Sequence, residues 1–250
     1  MSTYRIENCA GSAESARRAE LGGAYRVELC AGLPEGGTTP SYGEILTTRQ
    51  AINIKLNVII RPRSGDFLYT PIEVEAMLAD IRMARELGAD GIVVGCLTAD
   101  GAVDKPLLRR FVEAAEGLPV TFHRAIDVCQ DRAQALEDII EAGCARVLTS
   151  GGAASAPEGA DAIAALVKQA ADRIIIMPGA GVTPENVADL ARKTGAREFH
   201  FSGRTAEPSP MRYRHEGVSM GGTVTIDEYA YLFTDPKKIR QAVEALQALE

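Results

Sequence analysis

No apolar run in this chain exceeds about six residues, whereas a membrane helix needs roughly 20. The opening Met1-Ser-Thr-Tyr-Arg-Ile carries no apolar core of a secretory leader. A membrane span is not expected, and a cytoplasmic protein is. Excess positive charge is also missing. The net charge of −7 argues against a general nucleic-acid or anionic-membrane binder, though it leaves room for a local basic pocket. The five cysteines (Cys9, Cys30, Cys96, Cys129, Cys144) are odd in number and form no CxxC. Reduced thiols fit better than a disulfide framework. There is no HxH or HExxH pattern, no low-complexity tract and no linker.

What is present is a regular alternation. Short apolar runs occur at Tyr4–Cys9, Tyr25–Cys30, Asn57–Arg61, Gly91–Cys96, Val120–His123, Arg146–Thr149, Arg173–Met177 and Glu198–Ser202, with helical periodicity filling each gap. The helix ends are punctuated. Thr70-Pro-Ile-Glu73 reads as a capping box with Pro at the first helical position, and Asp131-Arg-Ala-Gln134 has the same form. Ser155 and Thr183-Pro184 mark two more helix starts, and Gly88, Gly117, Gly143 and Gly195 mark four stops. Eight βα units in 250 residues without a composition break predict an α/β fold, a single (β/α)8 TIM barrel spanning residues 1–250. A doubly wound sheet would usually bring a GxGxxG after its first strand, and none is present. Longer non-helical stretches are expected after the second strand (Gly32–Tyr42) and the eighth (Gly203–Thr225).

An internal repeat stands out. Arg5-Ile-Glu-Asn-Cys-Ala-Gly11 recurs as Arg26-Val-Glu-Leu-Cys-Ala-Gly32, five of seven residues identical at a spacing of 21. Strand alternation puts Glu7 with Cys9, and Glu28 with Cys30, on the face that lines the barrel. Ile6, Val27 and Leu29 then face the helices, where Asn8 fits less well.

Barrel chemistry collects at the C-terminal strand ends, and the inventory there is polar. Three uses compete. An anion site would draw on Arg61, Arg63 and Arg124, with Asp127, Ser150, Gly151, Gly179 and Ser202 nearby and backbone N–H groups from the Gly-rich turns after strands six and seven. Against it, the glycines could simply close turns and the arginines could pair with Glu7, Glu28, Asp66 or Asp127. Acid–base chemistry would fall to His123 or His200 with Glu7 or Glu28, the four candidate catalytic residues, unless they form a structural network instead. No lysine ends strands five to seven, which weakens a Schiff-base aldolase. A soft metal would use Cys9 and Cys30, whose Cα atoms would lie about 5 Å apart if level on neighbouring strands. Cysteine is also a common buried residue, and Cys129 and Cys144 read as packing. Met211–His215 is a basic stretch that would close over an anion, meet another subunit or stay solvated.

The chain resembles the CutC family, named for copper homeostasis. The resemblance lies in Glu28-Leu-Cys-Ala-Gly-Leu33 with Gly36-Gly-Thr-Thr-Pro-Ser41, Arg61-Pro-Arg-Ser-Gly-Asp-Phe-Leu-Tyr69 and Asp80-Ile81. It continues through Thr121-Phe-His-Arg-Ala-Ile-Asp127, Leu148-Thr-Ser-Gly151, Met177-Pro-Gly-Ala-Gly-Val182 and Glu198-Phe-His-Phe-Ser202. The resemblance implies a (β/α)8 barrel, a cytoplasmic location, a homo-oligomer (most often a dimer) and a role linked to copper. In some members Cu(I) is assigned to the cysteines matching Cys9 and Cys30. Ile126 stands where Phe is usual, Ser64 and Ala180 where Gly is usual, and Asn8 where an apolar residue is usual. Two functions are therefore expected to compete. One is a copper-homeostasis protein binding Cu(I) through Cys9 and Cys30. The other is a barrel enzyme acting on a small anionic molecule, a phosphorylated one among the candidates.

Overall fold

In the computed structural model, residues 4–215, 217, 218, 220 and 226–250 are described. Eight parallel strands form the barrel: β1 (Arg5–Ala10), β2 (Arg26–Leu29), β3 (Lys55–Ile59), β4 (Gly91–Val94), β5 (Val120–Phe122), β6 (Arg146–Thr149), β7 (Ile175–Pro178) and β8 (Glu198–Phe201). Their ladder order is β7-β6-β5-β4-β3-β2-β1-β8, so the ring is hydrogen-bonded all round except at the β7–β8 seam. The helices are α1 (Ala13–Leu21), α2 (Tyr42–Ala51), α3 (Pro71–Glu86), α4 (Lys105–Ala114), α5 (Arg132–Glu141), α6 (Ala160–Ala170), α7 (Val187–Thr194) and α8 (Pro236–Gln247). This is the expected (β/α)8 architecture. Among the described residues, no helix is long and apolar enough to cross a membrane.

Local chemistry accounts for the element ends. The Thr70 hydroxyl accepts from the Glu73 N–H while the Glu73 carboxylate accepts from the Thr70 N–H, a closed capping box ahead of Pro71. Asp131 caps α5 through the Gln134 N–H at 3.0 Å. The Ser155 signal behaves differently, because α6 starts only at Ala160. The intervening loop is used for packing instead, with the Ala156 N–H donating to the Ala180 carbonyl beyond β7.

Most buried apolar side chains lie between barrel and helices, including Ile6, Val27, Leu29 and Phe199. Asn8 shares that face and is fully buried. Its amide donates to the carbonyls of Phe201 (3.1 Å) and Ser202 (2.7 Å) and accepts from the Thr234 hydroxyl (3.0 Å). It stitches β1 to the chain leaving β8, which is why a polar residue suits an apolar face.

The stretch after β8 is not simply loop. β9 (Arg204–Pro208) pairs antiparallel with β10 (Ala230–Thr234) as a separate ribbon over α1, where Arg18 pairs with Glu207 and lies 4.5 Å from the Phe233 ring centre. Part of the expected Gly203–Thr225 loop lies outside the described residues. Within Met211–His215, Arg214 stacks on Tyr229 at 4.3 Å and donates to the Ser209 carbonyl.

Candidate functional site

The barrel interior is polar and arranged in two tiers. The lower tier holds Glu7, Arg26, Asn57, Thr121, Arg146 and Glu198, all buried. Arg26 bridges two acids, donating Nε to Glu7 and Nη2 to Glu198 at 2.6 Å, with the Met177 sulfur at 3.5 Å. Arg146 donates to Glu198 at 2.7 Å and to the Thr121 hydroxyl at 3.3 Å. Burial alone would raise the Glu7 carboxyl, but Arg26, His200 and Arg146 outweigh it and hold it far below the usual carboxylate range. Glu198 is held down in the same way by Arg26 and Arg146. Glu7 thus belongs to a structural ion network. The sequence reading missed Arg26, Arg146 and Glu198, although parity with Glu28 and His200 places Arg26 and Glu198 on the inward face.

The upper tier reaches the C-terminal mouth. His200 Nδ1 lies 2.8 Å from Glu7 Oε1, and its Nε2 lies 3.7 Å from Glu28 Oε2. The Cys30 thiol donates to Glu28 Oε2 at 3.5 Å, and the Cys9 and Cys30 sulfurs are 4.0 Å apart. The donor atoms of Cys9, Glu28 and Cys30 all fall within 4.8 Å of one another, as do those of Glu7, Glu28 and His200. The two cysteines are not level. Cys9 pairs with Glu28 in the β1–β2 register, so Cys30 sits two residues further along. Closing a barrel requires staggered strands, and the side chains span the offset.

Charge in this tier is shared. The hydrogen bond from Cys30 holds the Cys9 thiol well below its ordinary range against the cost of burial, with His200 assisting. Cys30 is pushed well above, first by that same bond and then by burial. The two shifts run in opposite directions, so Cys9 is the more acidic thiol of the pair. Burial would lower His200, yet its bonds to Cys9 and Glu7 and the nearby Glu28 raise it well above a normal imidazole. Burial lifts Glu28 to about 8, with Cys9 and Glu7 adding and His200 opposing.

That shift has a testable sign. A carboxyl raised on folding from about 4.3 contributes stability fully present below that pH. The contribution is lost as pH rises through about 8. Glu28→Gln removes it. In urea melts of metal-free protein between pH 5 and 9, the variant should gain stability relative to wild type as pH rises and level off above pH 8. A difference that is flat in pH would contradict the placement of Glu28.

A cavity of about 130 Å³ opens at the mouth, lined by Cys9, Glu28, Cys30, Arg61, His123, Arg124 and His200 together with Leu33, Gly36, Ile59, Phe67 and Leu148. The larger hollow of about 530 Å³, lined by Tyr4, Tyr25, Ile54 and Leu246, lies at the opposite end of the barrel and holds none of these groups. His123 packs on Phe67, with ring centres 4.9 Å apart. Its Nδ1 accepts from the Ala125 N–H at 3.2 Å, which leaves the ring proton on Nε2. Burial and then the Arg61 charge lower its pKa to about 3, so the imidazole is neutral at pH 7.

The other expected residues lie outside this cavity. Arg63 pairs with Asp66 (3.0 Å) and Glu73 (2.6 Å), tying a surface loop to α3. The Asp127 carboxylate accepts from the N–H groups of Ser150 (3.0 Å) and Gly152 (3.1 Å), the Ser150 hydroxyl (2.9 Å), the Thr149 hydroxyl (2.5 Å) and Arg124 Nε (2.8 Å). The turn after β6 is thus filled by the protein's own carboxylate, and the Gly151 N–H goes to the Thr149 hydroxyl. The Gly179 N–H donates to the Thr149 carbonyl, and a Cβ there would meet Leu148 at 2.5 Å. Ser202 offers its carbonyl to Asn8.

The sequence matches the model of the CutC family over residues 4–205. A Bacteroides thetaiotaomicron family protein CutC is 55% identical over 249 residues, covering 99% of this chain and 100% of that protein. The human copper homeostasis protein cutC homolog is 48% identical over 237 residues, covering 95% of this chain and 87% of that one. The crystal structure of CutC from Streptococcus agalactiae superposes with a TM-score of 0.77 at 36% identity, covering 80% of this chain and 98% of that chain.

Proposed function

The chain belongs to the CutC family, and from that membership and the barrel mouth we propose that it serves copper homeostasis by taking Cu(I) as cargo between Cys9 and Cys30. The observation that carries this reading is the sulfur spacing. At 4.0 Å, the two thiols can both reach one ion at an ordinary metal–sulfur distance of about 2.3 Å. Soft thiolates favour Cu(I) over harder divalent ions. Glu28 Oε2 beside Cys30 supplies a nearby third donor. Cys9, held low, meets the ion as a thiolate, whereas Cys30, held high, gives up its proton on binding. A reducing cytoplasm fits this use, because two thiols so close would otherwise be open to oxidation.

The test is an anaerobic competition titration of reduced protein against a high-affinity Cu(I) chelator. One equivalent of Cu(I) should be withdrawn from the chelator per chain. Failure to compete at any protein excess would end the copper reading.

A second reading, a barrel enzyme acting on a small anion, is favoured by one separate observation. Arg61 lines the same cavity as the cysteines, is buried, and has no carboxylate partner among the described residues. A buried, uncompensated cation is costly unless something anionic joins it.

A further inference from the structure

The donors left over in the mouth define the kind of anion. Arg61 Nη1 donates to the carbonyls of Glu35 (3.2 Å) and Gly37 (2.9 Å), and Nη2 donates to that of Gly65 (2.8 Å). Its Nε is buried without a partner. His123 Nε2, which carries the ring proton, is likewise buried without a partner. Both residues are more than nine-tenths buried, at 6% and 5% exposure. Both lie against one ring, with Arg61 5.1 Å and His123 4.9 Å from the centre of Phe67. Unmade hydrogen bonds of this kind are costly, so two on residues that line one cavity call for an acceptor.

We propose that the mouth cavity binds a small carboxylate of about six heavy atoms, its two oxygens taking the N–H groups of Arg61 Nε and His123 Nε2. This deepens the second reading above, on which it rests, by fixing the class of anion.

Three features separate a carboxylate from a phosphate ester. The first is donor number. A phosphate group brings three strong acceptor oxygens and close to two charges, whereas the buried donors without a partner on the residues lining this cavity are two among the described residues. Arg124 is half exposed at the rim, where it gives Nε to Asp127 and Nη2 to Ser150 and keeps Nη1 for solvent or ligand. The second is the Gly-rich turn after β6. Its Ser150 and Gly152 N–H groups are bound to Asp127 and so are closed to a phosphate. The third is size. At about 130 Å³ the cavity is slightly smaller than the ~150 Å³ that accommodates benzene. Leu33, Ile59, Phe67 and Leu148 give the ligand's carbon end an apolar wall.

The experiment is calorimetric titration of reduced, metal-free protein with pyruvate and, separately, with inorganic phosphate at matched ionic strength. Pyruvate should bind saturably and at least about tenfold more tightly than phosphate, the worth of one charge-assisted hydrogen bond. His123→Phe keeps the ring and loses the N–H, whereas His123→Gln retains an N–H near Nε2. With folding checked by circular dichroism, the Phe variant should bind pyruvate at least about tenfold more weakly than the Gln variant. Tighter binding of phosphate would overturn the carboxylate assignment and leave the anion reading standing. No saturable binding of either anion would overturn both. Equal pyruvate affinity in the two variants would show that the His123 N–H is not the donor.

Discussion

Cys9→Ser and Cys30→Ser, made singly, should each weaken Cu(I) binding by more than about 100-fold in the anaerobic competition, and the double variant should not compete at all. The scale follows from ligand chemistry. Loss of a residue that merely orients a metal ligand typically costs about 10–100-fold in affinity, so loss of a ligand should exceed that. Serine keeps the size of cysteine but offers a hard, protonated oxygen where a soft thiolate is needed. The two variants should differ in the free protein. Cys9 is the more acidic thiol and Cys30 is the group that chiefly keeps it so, so Cys9→Ser should abolish rapid thiol alkylation at neutral pH, whereas Cys30→Ser should slow it. Both sulfurs sit at the mouth, above the ion network, so the melting temperature should move little. A single variant that retains wild-type Cu(I) affinity would remove the pair from the site.

The second large effect lies one tier lower. Arg26→Met should destabilise the protein by about 3–5 kcal/mol at pH 7, the usual cost of breaking a buried ion pair by removing one partner. Arg26 is the only guanidinium joining Glu7 to Glu198 among the described residues, and both acids are buried. Methionine fills similar space beside Met177 but leaves two carboxylates close together in a dry interior. Arg5→Met is the control. Arg5 also pairs with Glu198, at 3.4 Å, but its side chain is 43% exposed, so its loss should cost under about 1 kcal/mol. Urea unfolding at pH 7 separates the two. The acid limb gives a second check. Glu7 and Glu198 are depressed on folding, so the stability they contribute is present above about pH 4.3 and is lost as pH falls below it. Arg26→Met should shrink that acid-dependent loss. Equal costs for the two substitutions would mean that Arg26 is not the keystone of the network.

Much of this was legible from the chain because the relevant information is local. Strand alternation alone put Glu7, Cys9, Glu28 and Cys30 on the inner face, and the repeat placed them on neighbouring strands. The eight strand positions follow from short apolar runs between capped helices. What could not be read depends on contacts far apart in sequence. The stagger between β1 and β2 belongs to the closed ring and not to either strand. Arg61 was open either to an anion or to an acid partner, and its two terminal nitrogens are held by carbonyls of distant loops that no local pattern names. Histidine usually titrates near neutrality, and the shift of His123 away from that range comes from its burial and from Arg61, neither of which its own strand reveals. Phe67, against which both residues pack, sits in a loop with no periodic signal at all.

Asp127 in the turn after β6 amounts to a ligand that the protein supplies to itself. A dissolved oxyanion competing for those N–H groups meets a rival that is tethered, already desolvated and never diluted. For a short tether the effective concentration of such a group is millimolar or higher, so ordinary metabolite levels offer no mass-action advantage against it. The hydrogen bonds that elsewhere would be made and broken with each turnover are here permanent, and they fasten the segment after β5 to the end of β6. The Ser150 and Gly152 N–H groups of this turn are thereby closed to any small molecule that would need them.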